Sequence, residues 1–218
     1  MRIFLTLAAF LFLSASAVSQ TSTWYVDPVN GDDGNTGSTA ADPFLSISVA
    51  LINSSLSSGD TILLAGGIYN DSLGLATGNK AEVFPIIIPS GVSFRAGNAF
   101  DPPVIDGNST GGVATVLFSV KDDILTTTYL DGLEMVNCVT AISTDTAGQT
   151  PAVNGLVIDE CTISDFSTSG VVLQLMGGST DLAVIRDCAI TGGSGADFGA
   201  FISSEGTNQV LAGGGIED

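Results

Sequence analysis

The chain has 218 residues, of which 23 are Asp or Glu, five are Lys or Arg and none is His, and its formal net charge at pH 7 is −18. The absence of histidine excludes a Ser-His-Asp triad and histidine metal ligands, and the negative charge argues against nucleic acid or an anionic membrane as partner, since both need a basic surface. At 44% hydrophobic residues the composition is that of a folded chain, and the length suits one domain or two.

The first 20 residues have the pattern of a secretory signal peptide. Arg2 gives a positive start, Ile3 to Leu13 is apolar, and Ala15-Ser16-Ala17 is a small-residue cleavage site. The apolar stretch is too short for a membrane span, which needs about 20 residues. We therefore expect residues 1–17, or at most 1–20, to be removed. The mature protein would then be secreted or held at the cell surface, without membrane insertion.

Residues 21–60 predict a strand, a polar loop and a short helix that together cap one end of the fold. Trp24 to Asp27 reads as the strand, and Pro28 to Asp42 as the loop. Asp42 suits a helix N-cap, with Pro43 at the first helical position. The apolar positions that follow have helical spacing, namely Phe44, Ile47, Ala50 and Leu51.

From residue 61 onward, short β-rich runs alternate with Gly, Pro, Asn and Asp. Bends at Gly66-Gly67 and at Pro89-Ser90-Gly91 separate runs that we interpret as strands. The predicted strands before the first cysteine are Thr61 to Ala65, Ile68-Tyr69, Phe84 to Pro89, Gly91 to Arg95, Val104 to Gly107 and Val113 to Val120.

The three cysteines mark an internal repeat. Aligned on Cys138, Cys161 and Cys188, the segments LEMVNCVTAI, LVIDECTISD and AVIRDCAITG are similar, with a period of about 25 residues. Short strands at this period predict the coils of a parallel β-helix, about six of them between residues 61 and 218. The cysteines would stack in register beside a bend and point the same way, which favours free thiols. A disulfide between neighbouring coils is the alternative in an oxidising compartment.

The last residues, 206–218, begin another coil without a capping helix. We expect an uncapped C-terminal end, and a chain that is truncated or is part of a longer surface protein. The alternative is that Gly213-Gly214-Gly215 and the acidic tail blunt the last strand edge by themselves.

The string WYVDPVNGDDGNTGSTAADPF, the helix with Ile47 and Ala50, and then SGDTILLAGGIY resemble the N-terminal cap of secreted bacterial pectate-lyase-like proteins. The cap pattern covers residues 24–69, and the coil pattern covers 84–205. The resemblance implies an all-β fold, a single-stranded right-handed parallel β-helix of pectin-lyase type with a short N-terminal capping helix. Many members of this family have no known function, and the fold serves lyases, hydrolases, epimerases, adhesins and inert scaffolds.

The resemblance to the lyase members also implies a kind of site, in which calcium holds an acidic polysaccharide and an Arg or Lys removes a proton. Asp159 and Arg186 take the same outward position on successive coils, and Glu160 and Asp187 take the next, so these four are catalytic candidates. A simpler interpretation is an exposed cross-strand ion pair. The hydrolase members need clustered Asp residues and a His, which Lys121-Asp122-Asp123 does not supply.

Two further groups are candidates for binding. Oxygen-bearing side chains among glycines suggest a calcium site in the loop, although a polar turn explains them equally; these are Asn30, Asp32, Asp33 and Asn35. Five aromatic residues could form a platform for sugar or could fill a core; these are Trp24, Tyr25, Phe166, Phe198 and Phe201. Calcium is the one cofactor that the sequence suggests.

The favoured interpretation is a secreted or cell-surface β-helix without catalytic activity that contacts extracellular carbohydrate. One alternative is a calcium-dependent polysaccharide lyase that uses Asp159, Glu160, Asp187 and Arg186. Another is the N-terminal fragment of a larger carbohydrate-active enzyme, in which case the rest of that chain is a partner.

Overall fold

The computed structural model describes residues 21–72, 82–109, 112–144, 151–175, 182–204 and 209–213. The predicted signal peptide and most of the tail from residue 206 lie outside the described residues. The described part contains one helix, α1 (Ile47–Asn53), and is otherwise mostly β. Its strands are β1 (Thr23–Val26), β2 (Thr61–Leu64), β3 (Gly67–Tyr69), β4 (Ile86–Ile87), β5 (Ser93–Ala96), β6 (Pro103–Asp106), β7 (Asn108–Ser109), β8 (Gly112–Ser119), β9 (Thr128–Asp131), β10 (Glu134–Ser143), β11 (Asn154–Asp159), β12 (Thr162–Leu175), β13 (Leu182–Arg186), β14 (Ala189–Thr191), β15 (Phe198–Ser204) and β16 (Gln209–Gly213).

The first sheet has seven parallel strands in the order β1-β2-β5-β9-β11-β13-β16. Because successive side chains of a strand point to opposite faces, in-register strands place like positions in columns. One inward column is fully buried over four neighbouring strands and consists of Ile62, Phe94, Leu130 and Ile158. The outward column next to it carries the charged residues described below.

The second sheet is built around β3, β6, β10, β12 and β14, which pair in parallel. The long strand β10 pairs with β6 over its first part and with β8 over its second part. Asn137 in β10 and Asp165 in β12 have positive φ, at 54° each, and in β10 this point lies between the two paired parts. The long strands thus link two sets of shorter strands.

The core is one continuous apolar cluster to which both sheets contribute. Phe94 from the first sheet meets Phe118 from the second edge to face, with ring centroids 5.5 Å apart. This geometry is the preferred one for aromatic pairs. The N-terminal end is fixed by the buried hydroxyl of Tyr69, which donates to the carbonyl oxygens of Val26 and Ala65 at 3.1 and 3.0 Å.

The three cysteines do not form one stack, so the predicted register is correct for two of them and wrong for the third. Thr162 lies opposite Ala189, which places Cys161 beside Cys188. Met135, however, lies opposite Ile163, and Cys138 lies opposite Phe166. Cys138 therefore follows a different bend, one that comes later in the repeat. All three thiols are free and buried, as predicted.

The helix begins later than the sequence pattern suggests. Its N-cap is Ser46, whose Oγ accepts the N–H of Val49 at 3.2 Å, and Asp42 is not the cap. Residues before Ser46 are extended because Phe44 forms a parallel β-bridge with Val26. The Asp42 carboxylate instead accepts the N–H and Oγ1–H of Thr36 at 3.0 and 2.6 Å, which closes the preceding loop.

Candidate functional site

Four charged residues form a ladder on the outer face of the first sheet. Arg95, Asp131, Asp159 and Arg186 lie opposite one another on β5, β9, β11 and β13. Arg95 Nη1 lies 2.9 Å from Asp131 Oδ2. Arg186 donates Nε–H to Asp159 Oδ1 at 2.9 Å and an Nη2 hydrogen to Oδ2. The two positive and two negative charges of this charge ladder thus pair with each other.

The Arg186–Asp159 pair is bidentate and partly shielded from water. The side chain of Asp159 is 13% exposed, and that of Arg186 is 51% exposed. The hydrogen bonds from Arg186 lower the pKa of Asp159 although its partial burial acts the other way, and Asp159 in turn raises the pKa of Arg186. The pair therefore stays fully charged near neutral pH, and Arg186 has no lone pair with which to accept a proton.

Arg95 makes a second contact that the sequence did not reveal. Its guanidinium carbon lies 4.4 Å from the centre of the Tyr129 ring. A cation over an aromatic face is a favourable arrangement. The signal that could have located it is the alternation of β9, which turns Tyr129 and Asp131 to the same face.

Glu160 and Asp187 take a different place from Asp159 and Arg186. Each follows the end of a first-sheet strand and has a positive φ of 50°. Gly132 takes the corresponding position after β9 and has a φ of 69°. Both side chains are exposed. Each turn residue precedes a buried cysteine, Cys161 or Cys188. The geometry assigns these acidic residues to a left-handed corner, and a catalytic role for any of the four candidates stays a prediction.

The four calcium candidates lie in the loop after β1, where their polar atoms contact the loop and the start of the helix. Asp33 Oδ1 accepts the N–H groups of Leu45 and Ser46 at 3.2 and 3.0 Å. The other candidates bond within the loop: Asn30 Nδ2 to Asp27 Oδ2, Asp32 Oδ1 to the N–H of Gly34, and Asn35 Nδ2 to the carbonyl of Pro43.

These hydrogen bonds stabilise the loop and its contact with the start of the helix. Among the residues that the structure describes, no group of three or more Asp, Glu, Cys or His side chains is arranged to hold a metal ion. The loop amides already use one oxygen of Asp32 and one of Asp33. Calcium binding in this loop stays a prediction.

Two buried carboxylates at the N-terminal end escaped the sequence analysis. Glu82 is 3% exposed, and its two oxygens accept the N–H groups of Ile47 and Ser48 at 2.6 and 2.9 Å. Burial raises the pKa of Glu82 to about 7, although these hydrogen bonds act in the opposite direction. Asp60 is also buried, and hydrogen bonds from Ser22, Ser57 and Trp24 outweigh the effect of burial and lower its pKa. No local pattern predicts contacts between residues 35 positions apart.

The five aromatic candidates do not form a platform in the part of the chain that the structure describes. Phe166 is fully buried in the core. Trp24 is half-buried and donates Nε1–H to Asp60 at 3.4 Å. Phe198 pairs with Ser169 and not with the position of Phe166, and the side chain of Phe201 lies outside the described residues. Tyr25, which follows Trp24 in β1, lines a groove near the N-terminal end.

No curated protein matches the chain. A solved structure titled rhamnogalacturonan lyase is similar at 15% sequence identity and a TM-score of 0.40, over 89% of this chain and 62% of that chain. The chain thus spans less than two thirds of that protein.

None of the described helices has the length and apolar character needed to cross a membrane. The model of one protein family matches residues 29–214, which is most of the chain. The chain therefore belongs to the family described as "Protein of unknown function (DUF1565)".

Proposed function

We propose that this chain is a secreted or cell-surface protein, a single right-handed parallel β-helix of about six coils, which contacts extracellular carbohydrate without catalysing its cleavage. The inference that the protein does not cleave carbohydrate rests on the bidentate pair of Arg186 and Asp159. A lyase base must be free to take a proton from the sugar, and Arg186 is held in its charged form by Asp159.

The strand pairing supports the proposed solenoid. Asp131, Asp159 and Arg186 are in register on neighbouring strands, and they are 28 and 27 residues apart in the chain. From Asp131 onward, each step of one strand in the first sheet thus takes about one repeat, as a coil would, while the earlier step from Arg95 to Asp131 takes 36 residues. The right hand follows from the general preference of parallel crossover connections.

The signal-peptide pattern of residues 1–17 supports export. The mature surface would be strongly acidic, which suits a soluble extracellular protein. The proposed solenoid offers a long face to an extended polymer, since solenoids provide extended binding surfaces.

The test combines binding and product formation. The secreted protein is incubated with polygalacturonate and rhamnogalacturonan in calcium, and unsaturated products are followed by their ultraviolet absorbance. Retention in gels that contain polysaccharide reports binding. We expect retention with at least one polysaccharide and no unsaturated product.

Variants make the outcome specific. Product formation that Arg186→Ala abolishes and Asp122→Asn leaves intact would overturn the non-catalytic assignment in favour of the calcium-dependent lyase. Failure to be retained by any plant or microbial polysaccharide would overturn the carbohydrate assignment. Asp122→Asn is a suitable control because Asp122 is an exposed acidic residue between β8 and β9 and is not one of the four candidates.

A further inference from the structure

A groove of about 360 Å³ lies beside the first sheet, at its N-terminal end. We call it the Tyr25 groove and define it by Tyr25, Leu63, Gly66, Gly97, Asn98 and Asp101. The loop after β1 forms one wall through Ala40 and Pro43, and the turn between β5 and β6 forms the other. Its volume is in the range of small-ligand sites and suits one or two sugar rings.

The position of Asp101 depends on a residue without a side chain. A Cβ added to Gly66 would lie 2.2 Å from the carboxyl carbon of Asp101, so the carboxylate lies across the space that a side chain would fill. In the described part of the chain, the Asp101 carboxylate accepts no hydrogen bond and forms no ion pair. It therefore offers free acceptor oxygens at the groove.

The other carboxylate of the groove is already in use. Asp27 accepts the N–H groups of Val29 and Asn30 on Oδ1, at 2.8 and 2.9 Å, and the side-chain amide of Asn30 on Oδ2, at 3.0 Å. No Lys or Arg is found among the described residues that line the groove. An anionic ligand would thus meet Asp101 without a compensating cation, which disfavours it.

Phe100 lies between the groove residues Asn98 and Asp101 in the chain but does not itself line the groove. Phe100 is 98% exposed. The backbone of this turn is fixed, because Asn98 Oδ1 accepts the N–H of Phe100 at 3.0 Å and the Asn98 carbonyl accepts the N–H of Asp101 at 3.2 Å. A large apolar side chain in full contact with water gains free energy when a ligand covers it.

We propose that the Tyr25 groove binds a neutral sugar unit of an extracellular polysaccharide. Sugar hydroxyls donate to Asp101 in the groove that Tyr25 also lines, and the part of the ligand that extends out of the groove past Asp101 covers Phe100. This combination of one free acceptor and two aromatic rings fits a ligand that is rich in hydroxyl groups and uncharged. The proposal rests on the proposed function and names its ligand class, because acidic sugars are disfavoured here.

The test measures retention in gels that contain a neutral galactan, a neutral xylan, a neutral glucan or polygalacturonate. We expect at least one neutral polymer to retain the protein more strongly than polygalacturonate. Phe100→Ala and Asp101→Asn should each weaken that binding about tenfold, which is the size of one lost aromatic or charged contact. Leu125→Ala is the matched control, since Leu125 is also an exposed apolar residue but lies between β8 and β9, outside the groove.

The possible outcomes distinguish failure of the groove assignment from failure of the proposed function. Retention that persists in both groove variants, or preferential binding of polygalacturonate, overturns the groove assignment and leaves the carbohydrate function to be located elsewhere. A wild-type protein that no polysaccharide retains overturns the proposed function itself. Unchanged urea midpoints of the variants show that lost binding is not lost folding, as expected for exposed side chains.

Discussion

Arg186 and Asp159 lie opposite each other on neighbouring parallel strands and are joined by two hydrogen bonds, so that the strongest catalytic candidates of the sequence neutralise one another. Together with Arg95 and Asp131 they form a charge-balanced stripe on a chain with a net charge of −18. Without these pairs the two aspartates, which face the same side of the sheet, would repel each other.

The first prediction concerns the coupling within this pair. Asp159→Asn and Arg186→Gln should each lower the free energy of unfolding, and a double-mutant cycle in urea should give a small favourable coupling, because the pair is bidentate but Arg186 is half exposed to water. Asp187→Asn should be near neutral. Since the folded pKa of Asp159 is lowered, the contribution is present above the unfolded pKa and is lost as the pH falls through the folded value. A coupling of zero would contradict the structural role.

The second prediction concerns Glu82. Its pKa is raised from 4.5 to about 7, so the folded state holds a proton there that the unfolded state releases between these values. The associated stability is full below pH 4.5 and is lost as the pH rises through about 7, with a size on the order of 1–3 kcal/mol. Unfolding of wild type and Glu82→Gln is compared at several pH values.

The difference between these two curves isolates Glu82 from the other acidic residues. The charge of Asp33, which also faces the start of the helix, raises the pKa of Glu82 further, so the measured difference includes this contribution. Glu134→Gln is the control, because Glu134 is only half-buried at the start of β10, and this variant should keep the wild-type slope. A parallel course of the wild-type and Glu82→Gln curves would show that Glu82 does not take up a proton on folding.

The third prediction concerns the thiols. Cys138 and Cys161 are 1% exposed and Cys188 is 8% exposed. Burial raises the pKa of Cys138 to about 12, and the neighbouring Cys188 together with burial raises that of Cys161. Thiolate is the reactive form, so Cys138 and Cys161 should react slowly with an aromatic disulfide reagent in the native protein. The hydrogen bond from Cys161 lowers the pKa of Cys188, so Cys188 should react first. Denatured without reductant, it should release three equivalents; one equivalent would indicate that Cys161 and Cys188 had formed a disulfide.

The fourth prediction concerns the N-terminal loop. Gly37 has φ 66°, and an added Cβ would lie 2.1 Å from Cε2 of the buried Phe44. Gly37→Ala should therefore lower the free energy of unfolding by about 1–3 kcal/mol. Gly34→Ala is the control in the same loop, since its Cβ would meet only the Asp32 carboxylate, at 3.1 Å. Equal urea midpoints for the two variants would count against this packing.

Cys138 shows why the local sequence does not fix the register of the repeat. The repeat has two kinds of bend, and each has a residue with positive φ before a buried one: Glu160 and Asp187 precede cysteines at the first, and Asn137 precedes Cys138 at the second. Locally these bends look the same. Only the pairing of Met135 with Ile163 shows that Cys138 belongs to the later bend and lies opposite Phe166.

The helix start and the buried acids were missed for a related reason. The pattern around Asp42 and Pro43 is a sound local start signal, but the β-bridge of Phe44 to Val26 holds this segment extended. Glu82 then reaches the helix from a distant part of the chain. A local pattern cannot foresee either contact, because both depend on which segments meet in three dimensions.

The sequence by itself determined that the chain is β-rich, repeats at about 25 residues, bears a large negative charge and lacks histidine chemistry. Alternation and spacing carry this information, because they follow from the geometry of single strands and from composition. Only the tertiary structure decided which positions share a column, that Arg186 and Asp159 neutralise each other, that Phe166 is in the core, and that Tyr25, Asn98 and Asp101 line one groove. These features depend on the register between strands and on contacts across long sequence separations, and register is set by the packing of the whole core.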